Sequence, residues 1–374
     1  MEDRALTAEP VKLRSLPRRL ARSGCGFAVG SLVALVALEG LSSVVYLAVR
    51  LYRDRAVAER EHTRYDPDLG WVNLPRLFLP DMYGPGVYLR TNSQSFRNGV
   101  DFPIAEQKGK ARVICSGDSF TLGYGVDNDH TWCQLLARLD PRLETVNMGQ
   151  GGYGIDQAFL WYRRDGARLD HRFHLFTFIT EDFHRMESDS FIGYGKPLLR
   201  LKKGVLVTTN VPVPRRHALA AWLAGHGGHL QNLASVRLLR AVVSKLRQRP
   251  LSAPGEEERR WQPVAAKIVE ELQALNQSRG SRLVLAYLPM REDYSSCGAD
   301  TWRRFMSAQA RAHGLPFLDL VESLRRLAPD QVPALYIDGS RTRFPAAKGH
   351  YTEAGNAWVA REVQKGLAAL DGSR

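Results

Sequence analysis

With 374 residues, the chain is long enough for one large or two ordinary domains and for a core that needs no disulfide staples. A composition of 44% hydrophobic and 24% charged residues, without a low-complexity tract, excludes a disordered or fibrous chain. The formal charge of +13 raises nucleic acid as a partner, but zinc-finger spacing and RNP-like aromatic motifs are missing and the arginines are spread along the chain, which fits an anionic membrane or envelope polymer, or a generally arginine-rich background.

No nucleic-acid partner is therefore expected. Cys25, Cys115, Cys133 and Cys297 form no CxxC pair and have no histidine cluster at ligand spacing, so neither a disulfide framework nor a metal or other cofactor is indicated.

Residues 1–25 form a basic tail with Arg4, Lys12, Arg14, Arg18, Arg19 and Arg22. Residues 26–49, GFAVGSLVALVALEGLSSVVYLAV, carry one charge, Glu39. At 1.5 Å per residue this stretch spans a bilayer core, and without a small-x-small cleavage site it reads as an uncleaved signal anchor. A carboxylate at mid-membrane costs on the order of a few kcal/mol unless protonated or paired. Glu39 either marks a contact with another helix or is tolerated by an otherwise apolar span. Arg50, Arg53, Arg55, Arg60 and Arg64 follow the span, so the flanking charges do not choose an orientation.

Residues 50–110 are a connecting region rich in proline, glycine and aromatics, with YDPDLGW (65–71) and YLRTNSQSFRN (88–98). The second motif alternates and ends in turn residues, which predicts a short strand or hairpin arm. From residue 111 the pattern becomes α/β. ARVICSGDS (111–119) is an apolar strand running into a turn, HTWCQLLARL (130–139) has helical spacing, and LETVNMG (143–149) is a second strand. DQAFLWYRR (156–164) is helical, and FHLFTFIT (173–180) is a third strand, apolar enough for the centre of a parallel sheet. SRLVLAYLP (281–289) and LPFLDL (315–320) are the fourth and fifth, with helices near 257–279 and 299–313 completing a βαβ alternation and a doubly wound sheet.

The third and fourth strands are too far apart for one crossover, so 187–254 is an insertion. It contains a hairpin (198–209), the turn VPVP (211–214) and a helical stretch ending in SVRLLRAVVSKLRQR (235–249). It reads either as a cap over the carboxyl ends of the strands or as a peripheral decoration.

Four blocks carry candidate chemistry. Ser119 of Gly117-Asp118-Ser119 follows a strand, where its hydroxyl meets the backbone N–H groups of a starting helix. VNMGQGGYG (146–154) ends the next strand, and its glycines permit close backbone approach, so Gly152 N–H is a candidate to face charge building on a carbonyl at Ser119. Thr180-Glu181-Asp182 ends the third strand, as site-lining residues or as an acidic helix cap. KGHYTEAGN (348–356) puts His350 in a loop just before a C-terminal helix, where it can serve as the base that a serine nucleophile needs.

Together GDSF (117–120), the glycine loop with Asn147 and Gly152, the TED segment and the His350 loop resemble the SGNH/GDSL hydrolase superfamily over roughly residues 60–370. YDPDLGW and RTNSQSFRN are similar to bacterial membrane-anchored members, some tied to exopolysaccharide modification. The resemblance implies a flavodoxin-like three-layer αβα sandwich with a five-stranded parallel sheet, an inserted cap and an N-terminal transmembrane helix. It makes Ser119 the nucleophile, His350 the base, the Ser119 and Gly152 amides the oxyanion-binding donors, and Asp118, Asn147, Glu181 and Asp182 site-lining residues. The domains expected are a tail (1–25), a signal anchor (26–49), a connecting region (50–110) and a hydrolase-like domain (111–374).

Two positions depart from the family pattern. Glu181 stands where the family has an asparagine oxyanion donor, and an ionised carboxylate cannot donate. Ala347 stands where the family has the aspartate three residues before its histidine; Asp338 (YIDGS), on the same connection, is the substitute candidate. The function expected is a serine-dependent acyl-ester hydrolase or O-acyltransferase acting on envelope or exported carbohydrate. It would be single-pass and membrane-bound, with its catalytic domain outside the cytoplasm. The competing expectation is a catalytically weak glycan- or partner-binding protein that kept the fold. The residues leave the oligomeric state open.

Overall fold

In a computed structural model, the described residues are 18–53, 59–191, 194–214, 234, 235, 238, 256–339 and 343–371. Contacts divide the chain into two units, Met1–Arg55 with Ala218–Arg249, and Ala56–His217 with Pro250–Arg374.

The first unit contains α1 (Arg18–Arg53), within which Val29–Tyr46 has a mean hydropathy of 1.8 and is long and apolar enough to cross a membrane. Leu32, Val33, Leu35, Val36, Leu38, Leu41 and Val44 are each more than half exposed, the surface a lipid-facing helix presents. The polar exceptions are instructive. Ser42 is buried, and the Glu39 carboxylate accepts the backbone N–H of Ala234, the N–H of Ser235 at 3.1 Å and the Ser235 hydroxyl at 2.6 Å. Of the two readings of Glu39, a contact with another segment is the one observed. The expected helix over 235–249 otherwise lies outside the described residues.

The second unit begins with two antiparallel hairpins, Thr63–Asp66 with Gly70–Asn73 and Phe78–Gly84 with Val87–Arg90. The sheet follows: β1 (Ala111–Gly117), β2 (Leu143–Gly149), β3 (Phe173–Phe178), β4 (Arg282–Tyr287) and β5 (Phe317–Asp319). All pairings are parallel and the spatial order is β5-β4-β3-β1-β2. Besides the single turns Glu59–His62 and Ser119–Leu122, the α-helices described are α2 (Trp132–Leu139), α3 (Ile155–Arg164), α4 (Thr180–Arg185), α5 (Glu256–Ser278), α6 (Asp300–Ala312), α7 (Leu320–Arg325) and α8 (Glu353–Asp371).

Successive residues of a strand face opposite sides, and β1 shows the result. Val113 and Cys115 pack with Trp132 and Leu136 of α2 and Val359 and Val363 of α8. Ile114 packs on the other side with Phe159 of α3, Ile268 and Leu272 of α5 and Met306 of α6. This is the doubly wound sheet expected from the βαβ alternation and the three-layer αβα sandwich that the resemblance implied. The strand order reverses between β1 and β3, so their carboxyl ends border the crevice where open α/β sheets bind ligands. Ser119 follows β1 and Thr180 follows β3.

The insertion starts beside that crevice. Its described part holds two hairpins, Ser190–Phe191 with Tyr194–Gly195 and Leu198–Lys202 with Val205–Thr209, the second matching the hairpin expected over 198–209. Lys196 ties it to α3: its ammonium lies 2.5 Å from Asp156, with both side chains buried, and also donates to the Arg185 and Ser188 carbonyls.

Candidate active site

The nucleophile turn is held from several directions. Asp118 caps the single helical turn Ser119–Leu122 through its Oδ1, which accepts Phe120 N–H at 2.9 Å. Gly123 closes that turn in the left-handed region at φ 88° and returns its N–H to the Ser119 carbonyl. Beneath, the fully buried Arg97 donates Nη1 to the Leu122 and Gly123 carbonyls, Nη2 to that of Val126 and Nε to Asn128 Oδ1, at 2.5–3.1 Å. Asn147 is also a brace. Its amide donates to the Thr121 carbonyl and accepts Gly149 N–H, both at 2.9 Å, and it is fully buried below the loop.

Gly152 lies next to the nucleophile turn at φ 77°, a conformation a side chain resists. A Cβ there would also collide with the Phe191 ring from the insertion. Neither the Ser119 nor the Gly152 amide donates a hydrogen bond among the described residues, so both remain available to an oxyanion. Beside them Trp71, Tyr124, Phe191, Tyr194, Thr63 and Gly151 line a cavity of about 20 Å³.

The third block splits. Glu181 is exposed. Asp182 is buried and accepts the Ile179 N–H at 3.1 Å. One turn after Glu181, Arg185 donates Nη1 to Asp182 Oδ1 at 2.6 Å, to Asp118 Oδ2 at 3.1 Å and to the Tyr153 carbonyl at 3.1 Å. Burial pushes the Asp182 carboxyl well above the usual carboxylate range, and the nearby Asp118 adds to this.

His350 Nε2 lies 2.7 Å from Ser119 Oγ. The imidazole stacks on Phe120 with centroids 4.4 Å apart and tilts against Tyr124 at 5.3 Å. Its carbonyl accepts Ile337 N–H at 2.8 Å, fixing the loop to the segment before it. Nδ1 is shielded from solvent and has no hydrogen-bond partner among the described residues. Asp338 is exposed and the structure does not bring it to that nitrogen; Ala347 is buried and offers no acceptor side chain. Burial lowers the imidazole to about 4, against a smaller raising effect of Asp118; Arg185 adds to the lowering.

The Ser119 hydroxyl also lies 3.3 Å from Asp118 Oδ2. It has one proton and two acceptors within reach, so the histidine tautomer decides where the proton points. With Nδ1 protonated, Nε2 accepts from Ser119 and the pair is set for proton transfer. With Nε2 protonated, Ser119 accepts from the histidine and donates to Asp118, and the base is occupied. No side chain among the described residues bonds Nδ1 to select between them, and of the backbone only that of Ala347 and Lys348 comes near enough to the ring to favour its protonation.

Sequence reasoning missed Arg97 and Arg185. Each is one arginine among many, and the only signal was position: Arg97 is the last residue but one of the RTNSQSFRN motif, and Arg185 follows TED on the same short helix. Among the described residues no group of three or more His, Cys, Asp or Glu side chains is placed to hold a metal ion.

No protein-family model matches the chain, and no curated protein matches it in sequence. Among solved structures it is similar to a lipolytic protein of the G-D-S-L family from Desulfitobacterium hafniense, with 13% identity, 69% of this chain and 99% of that chain covered, and a TM-score of 0.39. A second G-D-S-L lipolytic protein, from Veillonella parvula, shows 13% identity over 68% and 97% of the two chains with a TM-score of 0.38. An acetylxylan esterase from Geobacillus stearothermophilus shows 11% identity over 70% and 96%, also with a TM-score of 0.38.

Proposed function

We propose that this chain is a membrane-anchored serine hydrolase or acyltransferase of the SGNH/GDSL type that forms an acyl-enzyme at Ser119. The observation that carries the reading is the 2.7 Å contact between Ser119 Oγ and His350 Nε2, made between residues 231 positions apart. A serine at a strand-to-helix turn, facing a histidine and flanked by two undonated amides, is a constellation for acyl transfer.

In the first half-reaction Ser119 Oγ bonds to the ester carbonyl carbon, the C=O π pair moves onto oxygen, and the hydroxyl proton passes to His350 Nε2. The Ser119 and Gly152 amides receive the oxyanion. Collapse breaks the bond to the leaving oxygen, which takes the proton from His350 and departs as an alcohol. In the second half, water or an acceptor hydroxyl gives its proton to His350 and attacks the acyl-Ser119 carbon; the carbon–Oγ bond then breaks and Ser119 Oγ takes the proton back from His350. Water makes the protein a hydrolase; a sugar hydroxyl makes it an O-acyltransferase. An envelope or exported carbohydrate is the substrate class supported by the resemblance of the YDPDLGW and RTNSQSFRN motifs.

The test is labelling of the full chain in detergent with a fluorophosphonate, followed by peptide mapping. Label on Ser119, lost in Ser119→Ala, is expected; label on another serine overturns the reading. One observation favours a second reading, a weakly catalytic glycan- or partner-binding protein: the missing partner on His350 Nδ1. Saturable binding of an acylated glycan by a protein that never labels would establish it. Residues 26–49 would anchor the chain with the second unit outside the cytoplasm, and signal from a C-terminal reporter active only in the cytoplasm would refute that placement.

A further inference from the structure

We propose that Arg185 is the third oxyanion-stabilising group of this site, supplying from one helical turn further on what Glu181 cannot supply from the usual position. The inference rests on the reading of Ser119 as an acylated nucleophile.

Glu181 begins the geometric argument. It is exposed, α4 carries no amide side chain, and the Thr180 hydroxyl is engaged with the Tyr287 hydroxyl at 3.0 Å. Arg185, at the other end of the same short helix, turns inward instead, with its side chain only 16% exposed. Its Nη1 bonds Asp118 Oδ2, the oxygen that also faces Ser119 Oγ, so the guanidinium and the nucleophile share one acceptor atom. The same nitrogen bonds the Tyr153 carbonyl, one residue beyond Gly152. The guanidinium carbon lies 5.3 Å from the Phe191 ring centroid, and that ring packs on Gly152. The cation is thus bound to the residue before Ser119 and to the residue after Gly152.

All three of its hydrogen bonds use Nη1. Among the described residues Nη2 and Nε donate to nothing, which leaves three N–H bonds of a fixed planar fork for a ligand. A largely buried cation acts more strongly on a developing negative charge than one fully at the surface, and the unbonded edge of the guanidinium stays open to an entering ligand. Its charge is also sensed at His350, where it disfavours the imidazolium. The step concerned is the attack of Ser119 Oγ on the ester carbon, with the π pair passing to oxygen and the proton to His350; Arg185 would donate to that oxygen and lose no proton.

A purely structural role is the competing account, because Arg185 also neutralises the buried Asp118 and Asp182. Arg185→Gln alone would leave both carboxylates without a cation and endanger folding. The double variant Asp182→Asn/Arg185→Gln removes one charge of each sign and is compared with Asp182→Asn, which keeps the cation. Arg185→Lys keeps the charge and loses the fork.

Two readouts are taken on the full chain after thermal melts confirm folding. The first is the rate of fluorophosphonate labelling at Ser119. The second is the pH titration, by fluorine NMR, of the hemiketal that a trifluoromethyl ketone forms on Ser119. The expected result is labelling about 10²-fold slower in the double variant than in Asp182→Asn, with Arg185→Lys between them. The hemiketal hydroxyl should titrate at least one pH unit higher. Equal labelling rates and an unmoved hemiketal titration in a folded double variant overturn the inference and leave the acyl-enzyme reading standing. Absence of Ser119 labelling in the unaltered protein overturns both.

Discussion

Ser119 and His350 touch, but the two sides of the site that deliver them are built differently. On the nucleophile side the Thr121, Leu122 and Gly123 carbonyls each have a side-chain donor, from Asn147 and Arg97, and Asp118 caps the turn by accepting Phe120 N–H. On the base side, His350 is placed by ring packing and one backbone bridge, and among the described residues no side chain bonds its far nitrogen. Packing fixes where a ring sits; only a hydrogen bond fixes which nitrogen carries the proton. The nucleophile is therefore positioned and polarised, whereas the base is positioned only.

The largest expected effect tests the nucleophile side. Arg97→Met removes a buried cation that serves the Leu122, Gly123 and Val126 carbonyls and Asn128 Oδ1. A loss of about 3–5 kcal/mol in chemical denaturation is expected. A loss below about 1 kcal/mol would mean that the turn holds itself. Next is Gly152→Ala. The added methyl meets the Phe191 ring and the backbone is at φ 77°, so the amide must move. Labelling of Ser119 should slow by about 10²-fold, the scale of one lost oxyanion donor. An unchanged rate would remove Gly152 from the site.

The base side should respond in the opposite direction. Ala347→Asp puts a carboxylate three residues before His350, on the turn where His350 N–H already donates to the Ala347 carbonyl at 3.0 Å. Pairing with Nδ1 would select the tautomer that accepts the Ser119 proton. Acylation by a small aryl ester should rise about tenfold, well short of the roughly 10⁴-fold that a wrong tautomer costs in a mature triad. The pH profile sharpens this. His350 works when neutral, so the unaltered protein should lose activity only as pH falls through about 4. In Ala347→Asp that limb should move upward, because a carboxylate neighbour stabilises the imidazolium. The same lowered value bears on folding. The unfolded chain takes up a proton near pH 6.5 that the folded imidazole refuses, so stability falls as pH drops from 6.5 toward 4.

What was legible in the sequence follows the same division. β1, β2, β3 and the glycine loop were readable because strand period and glycine placement are local signals, and Ser119 could be placed at a strand end from them alone. His350 was readable by its position before a helix. The state of its Nδ1 was not, since that depends on what the fold fails to bring there: Asp338 lies one residue past the Ile337 bridge to His350 yet remains exposed. Arg97 and Arg185 were illegible for a related reason. Their partners come from the turn after β1 and from α4, and sequence distance hides which of many arginines will be buried. Glu39 lay between these cases: its cost in an apolar span showed that a partner was needed, while Ser235 could be found only from contacts.

The smallest expected effect concerns Glu181, which belongs to neither side. Its carboxylate is exposed one turn before Arg185, so water and ions screen its repulsion of an oxyanion. It should nevertheless oppose acylation slightly, because it is the one unpaired acidic position of the third block to face solvent beside the crevice. Glu181→Asn is expected to raise acylation about two- to threefold at unchanged stability. Ionic strength separates the causes. If the gain is electrostatic, it should shrink to nothing near 1 M salt, where the screening length is about 3 Å. A gain that persists at high salt would mean that the new amide reaches the oxyanion itself, restoring the donor that the fold lacks. A fall in rate, shared by Glu181→Gln, would give the carboxylate a direct role and break the view that it stands aside.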